Sequence, residues 1–313
     1  MALNQIPSPM SLTEIKPEIL VYGPNGGQPF VIGLDMNPQK AVTKLKDEGL
    51  LSLPRIVFIT HGFWGNSKTT WMHEMKDKML EESEQTIAIV GWGKGSELAA
   101  FKYAQASVNV EPIGIWLAGY VLEIKKKIGM KIKIWGIGLG LGAHLMGIAG
   151  RNSSVKNCAS FARITALDPA GPGFEKINEK NMLRKSDSQF VDVIHTDSHH
   201  KFRSPDLLSL INHYGTLRPL GTIDIYVNYG YDQPNAGDFT SAGNHMRAVE
   251  LFNWSIENPG ELKTQWTLDP PPDVDKPSTK QKRVVIAAEL GYYCDNRATG
   301  NYYLETNEMI PWK

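Results

Sequence analysis

The chain has 313 residues, 42% of them hydrophobic and 21% charged, which is typical of a globular protein with a substantial core. Its formal net charge of zero argues against nucleic-acid binding and against attraction to an anionic membrane surface. No run approaches the ~18 apolar residues that a membrane-spanning helix needs, so no transmembrane segment is expected.

The two cysteines, Cys158 and Cys294, can form one disulfide at most, and we expect both to be free thiols. No Cys/His spacing matches a zinc site, so neither a metal nor a cofactor is expected. The first residues lack the basic and apolar regions of a signal peptide. The chain is therefore interpreted either as cytoplasmic or as a mature secreted chain whose signal has been removed.

Taken in chain order, residues 1–50 are mixed, with a turn cluster at 23–27, and regular alternation of strands and helices follows. Strands are predicted at 55–60, 86–90, 131–135, 163–167 and 190–194, with closing strands at 284–288 and 301–304. Helices are predicted at 71–82, around 113–124, at 142–150 and at 245–256. Residues 196–244 are expected to be loop-rich, and 269–272 to form a turn or polyproline segment. This alternation predicts an α/β fold, a mostly parallel central sheet with helices on both faces.

The helix around 113–124 carries apolar residues every three to four positions and is expected to end at Gly129. Lys125, Lys126 and Lys127 occupy its last turn, where positive charge complements the helix dipole. We expect this lysine run to be a solvated helix end.

The most informative stretch is Gly138-Leu139-Gly140-Leu141-Gly142, between the strand at 131–135 and a helix of small residues. A strand-turn-helix of this kind is typical of a nucleophile elbow, whose pattern is G-x-S-x-G. Here the outer glycines are present and the central residue is Gly140. The sequence therefore predicts that no side chain attacks a substrate from this turn.

Several segments, in the right order, resemble the animal pancreatic-lipase family, including its insect phospholipase A1-like and yolk-protein-like branches. They are the elbow region 131–151, similar to the family's strand-GHSLGAH-helix; 164–172, similar to the triad-aspartate segment; 190–197, the strand after it; 244–248, similar to the triad-histidine segment; and 61–63, similar to the oxyanion loop. The resemblance covers roughly residues 50 to 310.

The resemblance implies an α/β-hydrolase fold with Ser, Asp and His in that chain order, here Gly140, Asp168 and His245. In a working enzyme the hydroxyl attacks the ester, the imidazole takes its proton and the aspartate orients the imidazole. Backbone N–H groups expected from Phe63 and Leu141 would hold the oxyanion. Residues 1–313 are expected to form a single lipase-like domain without a C-terminal β-sandwich.

The chain also departs from the family away from Gly140. Leu139 stands where the family has histidine, Thr222 where many members have histidine, Ala236 and Gly243 where it has paired cysteines, and Arg184 where a calcium-loop carboxylate belongs beside Asp187. A deliberate serine-to-glycine change is the alternative explanation, but several departures together favour long drift. No other serine nearby (Ser153, Ser154, Ser160) can occupy the turn, and Asp168 and His245 are expected to persist mainly because their hydrogen bond joins two loops.

These observations leave three hypotheses open. The first is a non-catalytic lipase homologue with a storage, yolk-like or structural role. The second is a carrier that binds a lipid, steroid or pigment in the vestigial acyl pocket, using Phe63, Trp64, Leu141 and His245. The third is an active ester or phospholipid hydrolase with an unorthodox mechanism. We expect an extracellular protein, and the oligomeric state stays open.

Overall fold

The computed structural model describes residues 7–99, 102–129, 131–155, 159–175, 178–198, 213–237, 242–268, 281–283, 287–308, 310 and 312. The chain divides into two compact units. The first contains Met1–Ile164 and Gly173–Gln189, and the second contains Thr165–Pro172 and Phe190–Lys313.

A sheet of five strands runs through the described part of the first unit. The strands are β1 (Glu18–Gly23), β2 (Gly26–Ile32), β3 (Arg55–Thr60), β4 (Thr86–Gly91) and β5 (Lys133–Leu139), in the order β5-β3-β4-β1-β2. β3 pairs in parallel with β5 and β4, whereas β1 is antiparallel to β4 and β2. β4 is buried at every position and β3 at all but its first, which is typical of parallel strands covered on both faces.

The helices of the first unit are formed by local capping and by burial. Those described are α1 (Leu12–Ile15), α2 (Pro38–Asp47), α3 (Thr70–Glu82), α4 (Gly93–Ser96), α5 (Tyr103–Ile128) and α6 (Leu141–Asn152). α2 begins where the Asn37 side chain accepts the Lys40 amide at 2.9 Å. α5 packs against α6 and α2, and α6 packs against β5 and β3. α6 is therefore held between a helix and the sheet.

The second unit has its own run of parallel strands. The strands are β6 (Arg163–Leu167), which begins at the end of the first unit, β7 (Val191–His195), β8 (Ile223–Val227), β9 (Trp266–Leu268), β10 (Gln281–Arg283) and β11 (Gly300–Leu304), in the order β10-β9-β11-β8-β7-β6. β8 is parallel to β7 and β11, and β9 is antiparallel to β11 and β10. Helix α7 (Gly243–Glu257) belongs to the same unit.

A buried polar network fixes the loop that leads into β8. The Asp224 carboxylate accepts hydrogen bonds from His195 Nε2 at 2.9 Å and from the amides of Leu220 and Gly221 at 2.9 and 3.0 Å. The His195 ring stacks on Tyr226 with centroids 4.3 Å apart and planes 6° from parallel. Because each of these polar groups has a partner, the network is compatible with the core around Tyr226.

The predicted alternation of strands and helices is confirmed for the central elements, and the sheet is mostly parallel in the middle of each unit. Helix α3 and strands β3, β4 and β6 begin and end within one residue of their predicted limits. Helix α5 begins ten residues before the first residue of its predicted periodic face. The expected turn at 269–272 lies outside the described residues, as do 284–286 of the first closing strand; the nearby strand is β10.

Several described elements are missing from the sequence prediction, among them β1 and α2 in the stretch predicted only as mixed, and the strands β2 and β8. Strand β2 is mostly exposed or half-buried, so it lacks the apolar run of a core strand. Strand β8 is fully buried, but it lies between stretches rich in glycine, proline and asparagine that favour loops.

The prediction of a solvated lysine run is wrong for Lys125. Its side chain is buried and donates to the Ile132 carbonyl oxygen at 2.7 Å. Burial lowers the pKa of Lys125. A lysine can bury its stem and place its ammonium group on a carbonyl, which the charge pattern alone does not reveal. Among the described helices, none has the length and apolar character needed to cross a bilayer.

Candidate active site

The predicted elbow is present in the first unit as a sharp turn between β5 and α6. Gly140 is the single residue between them, with φ 55° and ψ −112°. This backbone conformation favours glycine, because a Cβ meets steric strain at positive φ. The turn that positions a nucleophile in this strand-turn-helix motif is therefore retained, and the residue at its tip has no side chain.

The outer glycines of the elbow are required by close backbone packing. A Cβ added to Gly138 would lie 2.3 Å from the backbone carbon of Gly142. A Cβ added to Gly142 would lie 2.5 Å from the carbonyl oxygen of His61, and one on Gly62 would lie 2.8 Å from the Leu139 oxygen. The oxyanion-loop segment therefore packs directly on the elbow.

His61 holds this loop in place as a neutral side chain. Burial lowers the pKa of His61 to about 4, against the opposing effect of its hydrogen bond with the Gly62 oxygen. The Trp92 amide donates to Nε2 at 3.0 Å, so the ring proton lies on Nδ1, which donates to the Gly62 oxygen at 2.9 Å. The imidazole also stacks on the Trp92 indole with centroids 5.0 Å apart.

Three aromatic side chains lie together beside this loop. The Phe63 ring stacks on Trp64 with centroids 4.8 Å apart and meets Tyr103 edge-on at 5.2 Å. Trp64 is 57% exposed, yet its indole N–H donates to the Leu98 oxygen at 2.5 Å and its amide to the Ser96 oxygen at 3.2 Å. The first unit therefore presents a fixed, exposed indole next to the predicted oxyanion segment. The contribution of Tyr103 was not predicted from the sequence.

The predicted acid and base are joined in the second unit. His245 Nδ1 lies 2.6 Å from Asp168 Oδ2, and the other Asp168 oxygen accepts the amides of Thr196 and Asp197 at 2.8 and 3.0 Å. Asp168 is fully buried and has φ 38°. Its carboxylate also requires Gly215, because a Cβ there would lie 2.4 Å from Oδ1.

A second imidazole–carboxylate pair, which sequence reasoning missed, lies next to the first. The Asp197 carboxylate accepts His213 Nδ1 and the Tyr214 amide, each at 3.1 Å. The Tyr214 ring lies 5.5 Å from the His245 ring, centroid to centroid. The signal available in the sequence was Asp197 at the end of a predicted strand, but its partners come from a loop-rich region.

These carboxylates favour the charged form of His245. Burial by itself would lower the pKa of His245, but the hydrogen bond to Asp168 and the charges of Asp168 and Asp197 raise it above its ordinary value. Burial raises the pKa of Asp197. The hydrogen bond with His213 opposes this rise, and the negative charge of Asp168 adds to it. The pair therefore stabilises the imidazolium, which is the form that the base of a triad reaches when it accepts a proton.

Asp168, Asp197 and His245 also offer ligand atoms that lie within 4.8 Å of one another, which is compatible with a metal ion. However, each carboxylate oxygen of the two aspartates already accepts at least one N–H group. A cation would have to displace these hydrogen bonds. The imidazole–carboxylate network accounts for the cluster without a metal.

The segment that resembles a calcium loop is organised by an arginine. Arg151 binds the Asp187 carboxylate with two hydrogen bonds of 2.7 and 3.1 Å, and the Arg184 amide adds a third at 2.9 Å. Both carboxylate oxygens of Asp187 therefore already accept N–H hydrogen bonds. Nearby, His144 is a buried packing residue that accepts the Leu183 amide at 3.0 Å.

The positions of the family's paired cysteines lie side by side. Ala236 and Gly243 pack so closely that a Cβ on Gly243 would lie 1.5 Å from the Ala236 oxygen. A larger residue at 243 therefore requires a different local backbone. Cys294 is a buried thiol that is not in a disulfide, and Cys158 lies outside the described residues.

The parallel strands, the strand-turn-helix at Gly140 and the acid–base pair after β6 define an α/β hydrolase fold. The family model for Lipase matches residues 40–269, and the chain belongs to this family.

Three relatives illustrate the range of similarity. The chain is 32% identical to lipase member H of Rattus norvegicus over 252 aligned residues. The alignment covers 77% of this chain and 51% of that protein. The chain is 27% identical over 267 residues to phospholipase A1 2 of Vespa affinis (82% and 75%), and 35% identical over 203 residues to pancreatic lipase-related protein 2 of Cavia porcellus (64% and 43%). The chain thus spans about half the length of the first relative and less of the third.

Proposed function

We propose that this member of the Lipase family does not hydrolyse esters and instead binds an apolar small molecule as a carrier or storage protein. The observation that carries the proposal is the turn at Gly140, which has the elbow conformation but no side chain. Removing the nucleophile of a serine hydrolase lowers turnover about a million-fold.

The proposed ligand is a lipid, steroid or pigment, and the proposed binding residues are Phe63, Trp64, Leu141 and His245. The exposed, fixed indole of Trp64 supports the role of the first unit, because an aromatic ring that is already held in place loses little entropy on binding. The backbone amides of Phe63 and Leu141 are proposed to bind an oxygen of the ligand.

The second candidate function is ester or phospholipid hydrolysis by a water molecule that His245 activates directly. The hydrogen bond of 2.6 Å between His245 and Asp168 favours it, because this pair is the base and orienting acid of the triad mechanism. Such a reaction would lack a covalent intermediate.

Native mass spectrometry of the protein from its natural source tests the binding proposal. We expect a reproducible mass increment that organic solvent removes, and weaker recapture of the extracted ligand by Trp64→Ala than by the control Trp116→Ala. Protein that is empty on isolation contradicts the carrier role and favours storage or structure. Incubation with a fluorophosphonate tests catalysis separately, and we expect no covalent adduct.

We also propose that the protein acts outside the cell, which its resemblance to the pancreatic-lipase family supports. Recovery of the chain in the medium of cells that express its complete gene is expected. Retention in the cytosol would contradict this location.

A further inference from the structure

The second unit contains a cavity of about 450 Å³ that the proposed function does not use. It lies between the first turns of α7 and the residues Glu308, Ile310 and Trp312, and its volume is within the range of small-molecule sites. The lining residues are Asn235, Ala236, Gly243, Arg247, Glu250, Glu308, Ile310 and Trp312.

Arg247 brings an unpartnered donor to this cavity. The residue is 3% exposed; its Nε donates to Glu250 at 2.9 Å and Nη2 to the Pro234 oxygen at 2.8 Å. Nη1 is buried and has no hydrogen-bond partner among the residues that the structure describes. A buried guanidinium normally satisfies its donors, so this group lacks an acceptor.

Trp312 brings a second unpartnered donor. The residue is 6% exposed, and its indole Nε1 is buried without a hydrogen-bond partner in the described part of the chain. The Arg247 guanidinium carbon lies 4.3 Å from the Trp312 ring centroid, so the two side chains are in contact. One cavity is thus lined by two neighbouring side chains, each with a buried N–H that has no acceptor among the described residues.

We propose that this cavity binds a small neutral molecule with a carbonyl oxygen and an apolar body, and that Arg247 Nη1 and Trp312 Nε1 donate to the oxygen. Both unpartnered groups are N–H donors, so the ligand must supply a hydrogen-bond acceptor. The cavity wall has two carboxylates, Glu250 and Glu308, against one guanidinium, so charge disfavours an anion. Ile310 and Ala236 supply apolar contacts for the rest of the molecule.

NMR of protein labelled with ¹⁵N-tryptophan tests this site directly, with the Trp312 indole peak assigned from Trp312→Phe. The probes are cyclohexanone, cyclohexanecarboxylate and inorganic phosphate. We expect a saturable downfield shift of the Trp312 indole proton with cyclohexanone, because the indole N–H gains a carbonyl acceptor. We expect no saturable shift with either anion.

The variants Trp312→Phe and Arg247→Lys each remove one donor while keeping the ring or the charge. Each is expected to weaken cyclohexanone binding about ten-fold by saturation-transfer NMR, the effect of one lost hydrogen bond. Trp254→Phe, on the same helix but outside the cavity lining, is the matched control and is expected to leave binding unchanged. The wild-type indole titration needs a folded variant only once, when Trp312→Phe assigns the peak.

A Trp312 peak that no probe moves would overturn the proposal, since the cavity would then not bind a carbonyl compound at this indole. A saturable response to the carboxylate or phosphate but not to the ketone would also overturn it, because the site would then select an anion. Either result leaves the proposal for Phe63, Trp64 and Gly140 intact, because that proposal concerns other residues.

Discussion

His245 Nδ1 lies 2.6 Å from Asp168 Oδ2, while the elbow residue of the same chain, Gly140, has no side chain. The acid–base pair has thus persisted with its full hydrogen-bond support from Thr196 and Asp197. This support gives the pair a structural role, because it ties helix α7 to the loops after β6 and β7. A structural role explains why the pair remains in a chain that we propose to be non-catalytic.

The pKa of His245 is expected to reflect its hydrogen bond with Asp168. Because the folded-state pKa is raised, the stability it contributes is present below the unfolded pKa of about 6.5 and is lost as the pH rises through the folded value. Histidine NMR should find the His245 pKa above 6.5, and Asp168→Asn should lower it. An unchanged value in Asp168→Asn would show that the pair is not coupled as described.

His61 is expected to have the opposite effect on stability. Its folded pKa of about 4 lies below the unfolded value, so the unfolded chain binds the extra proton as the pH falls from 6.5 towards 4. The loss amounts to about 3 kcal/mol at pH 4. Urea unfolding at several pH values should show a shallower acid dependence in His61→Gln than in the wild type. Equal slopes would mean that His61 is not held neutral.

A side chain at position 140 is expected to destabilise the protein. Gly140→Ala should lower the free energy of unfolding by about 1–2 kcal/mol, because φ is positive there. Alanine also restricts the unfolded chain, and this effect offsets part of the loss. Gly129→Ala, at another glycine with positive φ outside the elbow, is the control for backbone strain in general and should also destabilise. A neutral or stabilising Gly140→Ala would argue against the described turn.

Gly140→Ser is expected to restore little ester hydrolysis at neutral pH. The chain also departs from the family at Leu139, Arg184 and Thr222, so a new serine hydroxyl would lie in a site that has changed around it. The p-nitrophenyl butyrate rate of this variant should rise with pH as His245 loses its proton. Robust turnover at pH 7 would instead indicate a recent loss of the nucleophile and an otherwise intact site.

Removing one partner of the ion pair between Arg151 and Asp187 is expected to destabilise the protein strongly. Asp187 is almost fully buried and Arg151 largely so, so removing one partner leaves an unpaired buried charge that costs about 3–5 kcal/mol. Asp187→Asn should therefore lower the midpoint of urea unfolding strongly. The control is Asp295→Asn, which removes the exposed pair with Arg297 and should have little effect. Comparable losses in both variants would contradict the buried role.

The sequence predicts the elbow well because its constraints are local. The glycines at 138 and 142 are imposed by contacts within the strand-turn-helix and with His61, and the apolar strand before them is a clear signal. The Asp168–His245 pair was predicted from the resemblance, since the two residues are 77 positions apart.

The remaining features depend on contacts between distant segments, which periodicity does not report. His213 joins Asp197 from a loop-rich stretch, and Lys125 turns onto the Ile132 carbonyl instead of into solvent. Trp312 meets Arg247 from the far end of the chain. In each case the partner is fixed by the tertiary fold, and the residue type alone is compatible with an exposed position.

The central claim is the absence of catalysis, and a comparison of wild-type protein with His245→Ala tests it most directly. Both are purified identically and assayed with p-nitrophenyl butyrate and with a phosphatidylcholine substrate across pH 6–9. We predict that both proteins hydrolyse the substrates no faster than buffer does. Wild-type turnover that disappears in His245→Ala would contradict the account, because it would show that the chain catalyses hydrolysis without a serine at position 140.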